Sequence, residues 1–226
     1  LSVAESGKLS DLNFLREQVR RMLDDPKAAA LGERFALQWL DLERLGGEVK
    51  PDSTKFPEFD PKLQHAMLEE VATVFNYLIK SDSSSINLID ADFTFANERL
   101  AKIYGLDNIN GDELQMVSLT DKNRGGVIGM AAVHAGSSYP HRTSPVLRGR
   151  WVLESLLGEK VKMPPPDVPA FEETQAKAKD LPLRAQLELH RQKAECASCH
   201  DKMDPLGFGM ENFDVLGRWR EKDGEH

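Results

Sequence analysis

Cys196, Cys199 and His200 stand as C-x-x-C-H, and these two cysteines are the only ones in 226 residues. Two thiols at that spacing can add to the two vinyl groups of one haem, and the adjacent imidazole is then held under the iron as its proximal ligand. Zinc is a competing metal for the same three side chains. A closed structural zinc site needs four ligands, however, and the chain has no second C-x-x-C and no H-x-x-x-H to complete one. A thioredoxin-like dithiol requires a βαβ context, whereas the flanking sequence has a helical pattern. A plain structural disulfide is the third alternative, conceivable in an oxidising compartment. The spacing predicts one covalent haem c.

The run after the motif, Asp201-Lys202-Met203-Asp204-Pro205-Leu206-Gly207-Phe208, leaves through a proline and a glycine. This predicts a Pro-containing loop in which a backbone carbonyl near Pro205 accepts the proximal imidazole N–H, fixing its tautomer. Met203 follows His200 too closely to cross to the other face of a macrocycle and is read as packing. Met116, Met130, His134, His141 and Met163 are remote enough to reach that face. Met130 and His134 are four apart and share one side of a helix. Met130 is the expected sixth ligand, His141 the alternative, and an open or water-bound iron the third possibility.

Arg142 and Arg148 flank a loop and helix start, Tyr139–Gly149. A guanidinium there is suited to bidentate pairing with a haem propionate, Arg142 first and Arg148 second. The plain alternative is a loop whose arginines pair with nearby acids.

The elements that must position these groups read mostly as helices. Ser10 can cap a helix with Leu12, Leu15, Val19 and Leu23 on one face, and Asp25-Pro26 restarts the chain in cap-then-proline order. Asp60-Pro61 opens a third helix carrying Leu63, Met67, Val71, Val74, Phe75 and Leu78. A short helix is expected from Ala96 to Tyr104 and a brief strand over Leu114–Leu119. Trp39, Phe75 and Met67 are core candidates. Val127–Ala135 suits a small-residue helix. Ser144-Pro145 caps a helix running to Gly158, Met163–Pro169 reads as an extended polyproline-like linker, and Leu183–Lys193 as a helix delivering the motif. The fold class expected is mainly α. A helical region, 1–115, precedes a small c-type haem region, 116–226, that contains the Pro-rich linker.

Three stretches carry a resemblance: RGGVIGMAAVHAGSSYPHRTSPVLRGRWVLESLLG, MPPPDVPAFEE and ECASCHDKMDPLGFGMENFDVLGRWR. They resemble a family of large exported cytochromes of planctomycete and verrucomicrobial type, known by the domain designations DUF1592, DUF1588 and DUF1585. ERFALQWLDLERL, FPEFDPKLQHAMLEE and LIDADFTFANERLAKIYGL match the preceding part of that architecture. The resemblance implies a DUF1592-like first region and a DUF1588-like second, with the start of a DUF1585-like one at the end. It also implies a haem protein matured outside the cytoplasm, in the periplasm or beyond, and a chain that is part of a longer protein. The Arg142 loop is in addition similar to an R-T-x-P-L-R-like element of bacterial dihaem peroxidases.

Composition fits a globular chain, with 40% hydrophobic residues and a net charge of −8. No apolar run approaches the ~20 residues that span a bilayer. Nucleic acid is an unsuitable partner, because no basic patch with interleaved aromatics exists. The partner expected is a redox protein or another domain of the full-length chain. Two functions follow. Electron transfer needs a saturated sixth position, whereas a haem enzyme of peroxidase or other oxidoreductase type needs an open one, with His141 and Arg142 on the distal side.

Overall fold

A computed structural model describes residues 2–161, 181–191 and 194–222. Among the described residues about half are helical with little sheet, which makes the fold mainly α. The proline-rich stretch expected as a linker, and Met163 within it, lie outside the described residues.

Helix α1 spans Leu12–Leu23 and is capped by Asp11, not Ser10: the Asp11 carboxylate accepts from the N–H groups of Asn13 and Phe14. Ser10 instead closes a short 3₁₀ turn, Lys8–Ser10. A carboxylate at this position also meets the positive end of the helix dipole. Asp25-Pro26 opens only a 3₁₀ turn, after which a π-helical stretch, Leu31–Ala36, runs into Leu37–Trp39.

Helix α2, Pro61–Lys80, starts as its sequence predicts, with the Asp60 side chain accepting from Leu63 N–H. Leu63, Met67, Val71, Val74 and Leu78 bury one face of it. Trp39 and Phe75 depart from the expected core. With Phe35 they form an aromatic cluster, centroids 5.8 to 6.3 Å apart, in which Phe35 is 53% exposed. Their rings sit on the outward side of the packing between α2 and Leu31–Ala36.

Strand β1, Phe93–Ala96, pairs antiparallel with β2, Gln115–Ser118, with Phe93 opposite Ser118 and Ala96 opposite Gln115. Between them lies α3, Glu98–Tyr104, capped by Asn97. In place of one helix over Val127–Ala135 there is a 3₁₀ turn, Val127–Gly129, an extended Met130, and then α4, Ala131–Gly136. The break has a local cause. The Tyr104 hydroxyl accepts the Ala131 N–H at 2.9 Å, and Arg124 donates to the Gly129 carbonyl. Side chains thereby take backbone groups that a continuous helix would have paired internally. Met130 is therefore a cap residue, and its side chain joins the hydrophobic core with Val133, Trp151 and Leu216.

Helix α5, Pro145–Trp151, is capped by Ser144 and continues as a π-helical stretch, Val152–Leu156. Helix α6 is Leu183–His190 and α7 is Ala194–Phe208. Helices α5 and α7 cross backbone on backbone. A Cβ on Gly149 would lie 1.9 Å from the Met203 carbonyl oxygen, and one on Gly207 1.8 Å from that of Pro145. This crossing holds α7 against the rest of the fold.

A buried polar knot ties the first half of the chain to the second. Glu70 of α2 accepts from Thr94 Oγ1 and Tyr104 Oη, both at 2.5 Å, and the Arg124 guanidinium covers the Tyr104 ring at 3.9 Å. Burial pushes the Glu70 carboxyl up to about 7, against the opposing pull of those hydrogen bonds and of Arg124. A carboxyl whose folded pKa exceeds its unfolded one favours the fold when protonated. Its contribution is full below about pH 4.5 and fades as pH rises through about 7. The interval corresponds to a loss of about 3 kcal/mol. Glu70→Gln mimics the neutral, protonated carboxyl, with its oxygen accepting from one hydroxyl and its N–H donating to the other, and should remove that slope. Urea unfolding at pH 5 and pH 7.5 checks it: a slope equal to that of the unmodified protein would show that Glu70 is not the source.

Candidate functional site

Helix α7 collects the predicted chemistry on one stripe. Cys196, Cys199, His200, Met203 and Asp204 follow the three-and-four spacing of a single helix face. Cys196, Met203 and Asp204 are buried, while Cys199 and His200 are half-buried, and neither cysteine is in a disulfide. The stripe faces inward because the Gly149 and Gly207 contacts press this helix onto α5.

The exit from the motif differs from the expected loop. The helix continues through Pro205 to Phe208, with Pro205 inside it and exposed to solvent. The group on the imidazole is the Asp204 carboxylate, with Oδ1 2.9 Å from His200 Nδ1. The group facing the imidazole Nδ1 is thus a side chain one residue before Pro205. In a helix, residue 204 lies one turn above residue 200 on the same face, whereas Pro205 is rotated about 100° away. Asp204 is the site residue that sequence reasoning missed. Its signal was present in the i, i+4 spacing from His200, once the segment is known to be helical.

Asp204 is fully buried, and its second oxygen, Oδ2, makes no hydrogen bond among the described residues. Arg191, just past α6, brings a positive charge near it, with Nη1 4.0 Å from Oδ2 and Nε 3.9 Å from Asp201.

The two arginines have different surroundings. Arg148 is fully buried and donates to the carbonyls of Met210, Phe213 and Asp214 and to Ser138 Oγ. It pins the segment that follows α7. Arg142 is half-buried; it donates to the Thr143 carbonyl, and its guanidinium lies 4.4 Å from the Tyr139 ring centroid. His141 is exposed and stacks on the same ring at 6.4 Å, so Tyr139 brings His141 and Arg142 into one surface group.

Among the other distal candidates, Met116 is 48% exposed on β2, and Met130 lies in the core. His134 is wholly buried, stacked on Phe213 with ring centroids 4.2 Å apart. Burial first, and then the positive charges of Arg148 and Arg124, hold it well below the usual histidine range, so it is neutral. The Ile128 backbone lies close enough to favour the protonated ring slightly. Even so, neither ring nitrogen makes a hydrogen bond of good geometry among the described residues.

The residues on α7 suit a covalently held haem. The donor set is two thiols free of any disulfide and an imidazole on one helix face. A proton on Nδ1, donated to Asp204, is the tautomer that puts the lone pair on Nε2. Zinc would need more ligands, and among the described residues no group of three or more His, Cys, Asp or Glu side chains converges on a common point.

Two regions of the chain match known families. Residues 1–106 match a family described as PSD4, protein of unknown function (DUF1592), and residues 124–223 one described as PSCyt3, protein of unknown function (DUF1588). No curated protein and no solved structure matches the chain significantly. No described helix is long and apolar enough to cross a membrane.

Proposed function

We propose that this chain is the haem-bearing module of an exported c-type cytochrome that carries electrons through one haem c bound at Cys196 and Cys199. His200 is the proximal ligand. The observation that carries the proposal is the α7 stripe, with two thiols and an imidazole whose Nδ1 is already engaged by a buried carboxylate. The bound group supplies a reversible one-electron couple. The chain anchors it through two thioethers, orients His200 and shields one side of the site with the α5–α7 packing. Because Arg148 is wholly buried and both its terminal nitrogens donate to the chain itself, the propionate role is assigned to Arg142. Partners are a redox protein or other domains of a longer chain, and thioether formation places maturation outside the cytoplasm, in the periplasm or beyond.

For electron transfer the sixth position of the iron would be filled, and the residue that would supply it is Met130, once drawn from its place in the core, or alternatively the exposed His141. A thioether there raises the potential and blocks direct attack by peroxide. Ultraviolet–visible spectra of the oxidised and reduced protein test this. Low-spin spectra at rest are expected, with a weak methionine–iron charge-transfer band that Met130→Ala abolishes while opening the iron to cyanide. A ferric protein that is high-spin and binds cyanide or peroxide rapidly without substitution would replace electron transfer by a haem enzyme, with His141 and Arg142 on the distal side.

A further inference from the structure

We infer that Asp204 is the positioning residue of the proximal histidine, and that it makes His200 an anionic-type, strongly donating ligand that lowers the reduction potential of the bound haem. The inference rests on the haem assignment above and adds to it a residue and a direction of tuning.

The geometry is specific. Asp204 Oδ1 lies 2.9 Å from His200 Nδ1, one helical turn away on the inward face of α7. A neutral backbone carbonyl in that place would accept the same proton with less negative charge. A carboxylate both fixes the ring plane and pulls the Nδ1 proton towards itself, so electron density builds at Nε2. A more basic ligand stabilises ferric over ferrous iron, which moves the potential down.

The surroundings of the carboxylate strengthen the effect. Asp204 is wholly shielded from water, and Oδ2 accepts no hydrogen bond among the described residues. A buried carboxylate with one strong donor concentrates its interaction on that donor. Among the described residues, Arg191 lies near it and also faces Asp201. Arg191 is 4.0 Å from Oδ2, beyond hydrogen-bond range, so it balances charge without competing for Oδ1. The turn that brings Asp204 over His200 is kept in place by the Gly207–Pro145 contact three residues later.

The test is made on matured holo-protein. Asp204→Asn preserves shape and removes the negative charge, so the midpoint potential should shift clearly upward, and Asp204→Glu should move it back towards that of the unmodified protein. A merely structural role would change the unfolding midpoint and leave the potential where it was. Unchanged potentials in both variants, with haem covalently bound, would overturn the inference while leaving the haem assignment intact. Absence of covalent haem from the unmodified protein would overturn the assignment itself. If Asp204→Asn does not mature, the reduced unmodified protein decides the question by NMR of the His200 ring. A downfield Nδ1 proton that exchanges slowly with water supports the carboxylate bond, and one exchanging at the free-imidazole rate refutes it.

Discussion

Expressed with an export signal and a cytochrome c maturation system, the chain is expected to carry one haem that denaturation cannot extract. Cys196→Ala/Cys199→Ala should carry none. Each cysteine supplies one thioether, so the single variants should yield at most a one-armed haem in sharply reduced amount. The pyridine haemochrome spectrum reads this directly, because saturating both vinyl groups shifts the band away from that of ordinary haem b. Intact mass gives the stoichiometry. A protein that matures with bound zinc and no haem, or with a Cys196–Cys199 disulfide, would defeat the proposal. Cys196 is buried and Cys199 half-buried on α7, with His200 between this pair and Asp204. Loss of the cysteines should therefore remove the cofactor without changing what orients the imidazole.

The second large effect is on stability. Gly207→Ala should destabilise the protein by about 3 kcal/mol, the upper end of the cost of overpacking a well-packed site. The added methyl would meet the Pro145 carbonyl oxygen at 1.8 Å and its carbon at 2.4 Å, and both are backbone atoms that no rotamer change can move aside. Helices α5 and α7 would have to separate, taking Asp204 and His200 with them. Gly209→Ala is the control, since its nearest neighbour, the Leu206 carbonyl oxygen, is 3.4 Å away. Urea unfolding of the two variants compares them. Equal, small losses would mean that the helices do not meet through backbone at Gly207.

Much of the scaffold was legible because its signals are local. Asp60-Pro61 and Ser144-Pro145 start helices through bonds within one turn, and both caps form as their spacing predicts. The strand over Leu114–Leu119 was found, but its partner Phe93–Ala96 was not. Four residues carry little pattern, and only pairing with the second strand makes them a strand. Ser10 failed as a cap because Asp11, one residue on, offers the stronger acceptor. Trp39 and Phe75 have core-like chemistry yet stack with the exposed Phe35 in a cluster at the edge of the packing.

The site divides along the same line. Sequence by itself determined the chemistry: two thiols and an imidazole at haem-attachment spacing, because that spacing is a covalent property of five consecutive residues. Tertiary structure decided what surrounds them. It carried the helix through Pro205, so that Asp204 rather than a loop carbonyl meets His200. It broke the expected Val127–Ala135 helix at Met130, where Tyr104 and Arg124 take the backbone groups. It also committed Arg148 to three carbonyls some sixty residues away. Each of these outcomes depends on which distant donor or acceptor reaches a backbone group first, and that competition leaves no trace in the spacing of neighbouring residues.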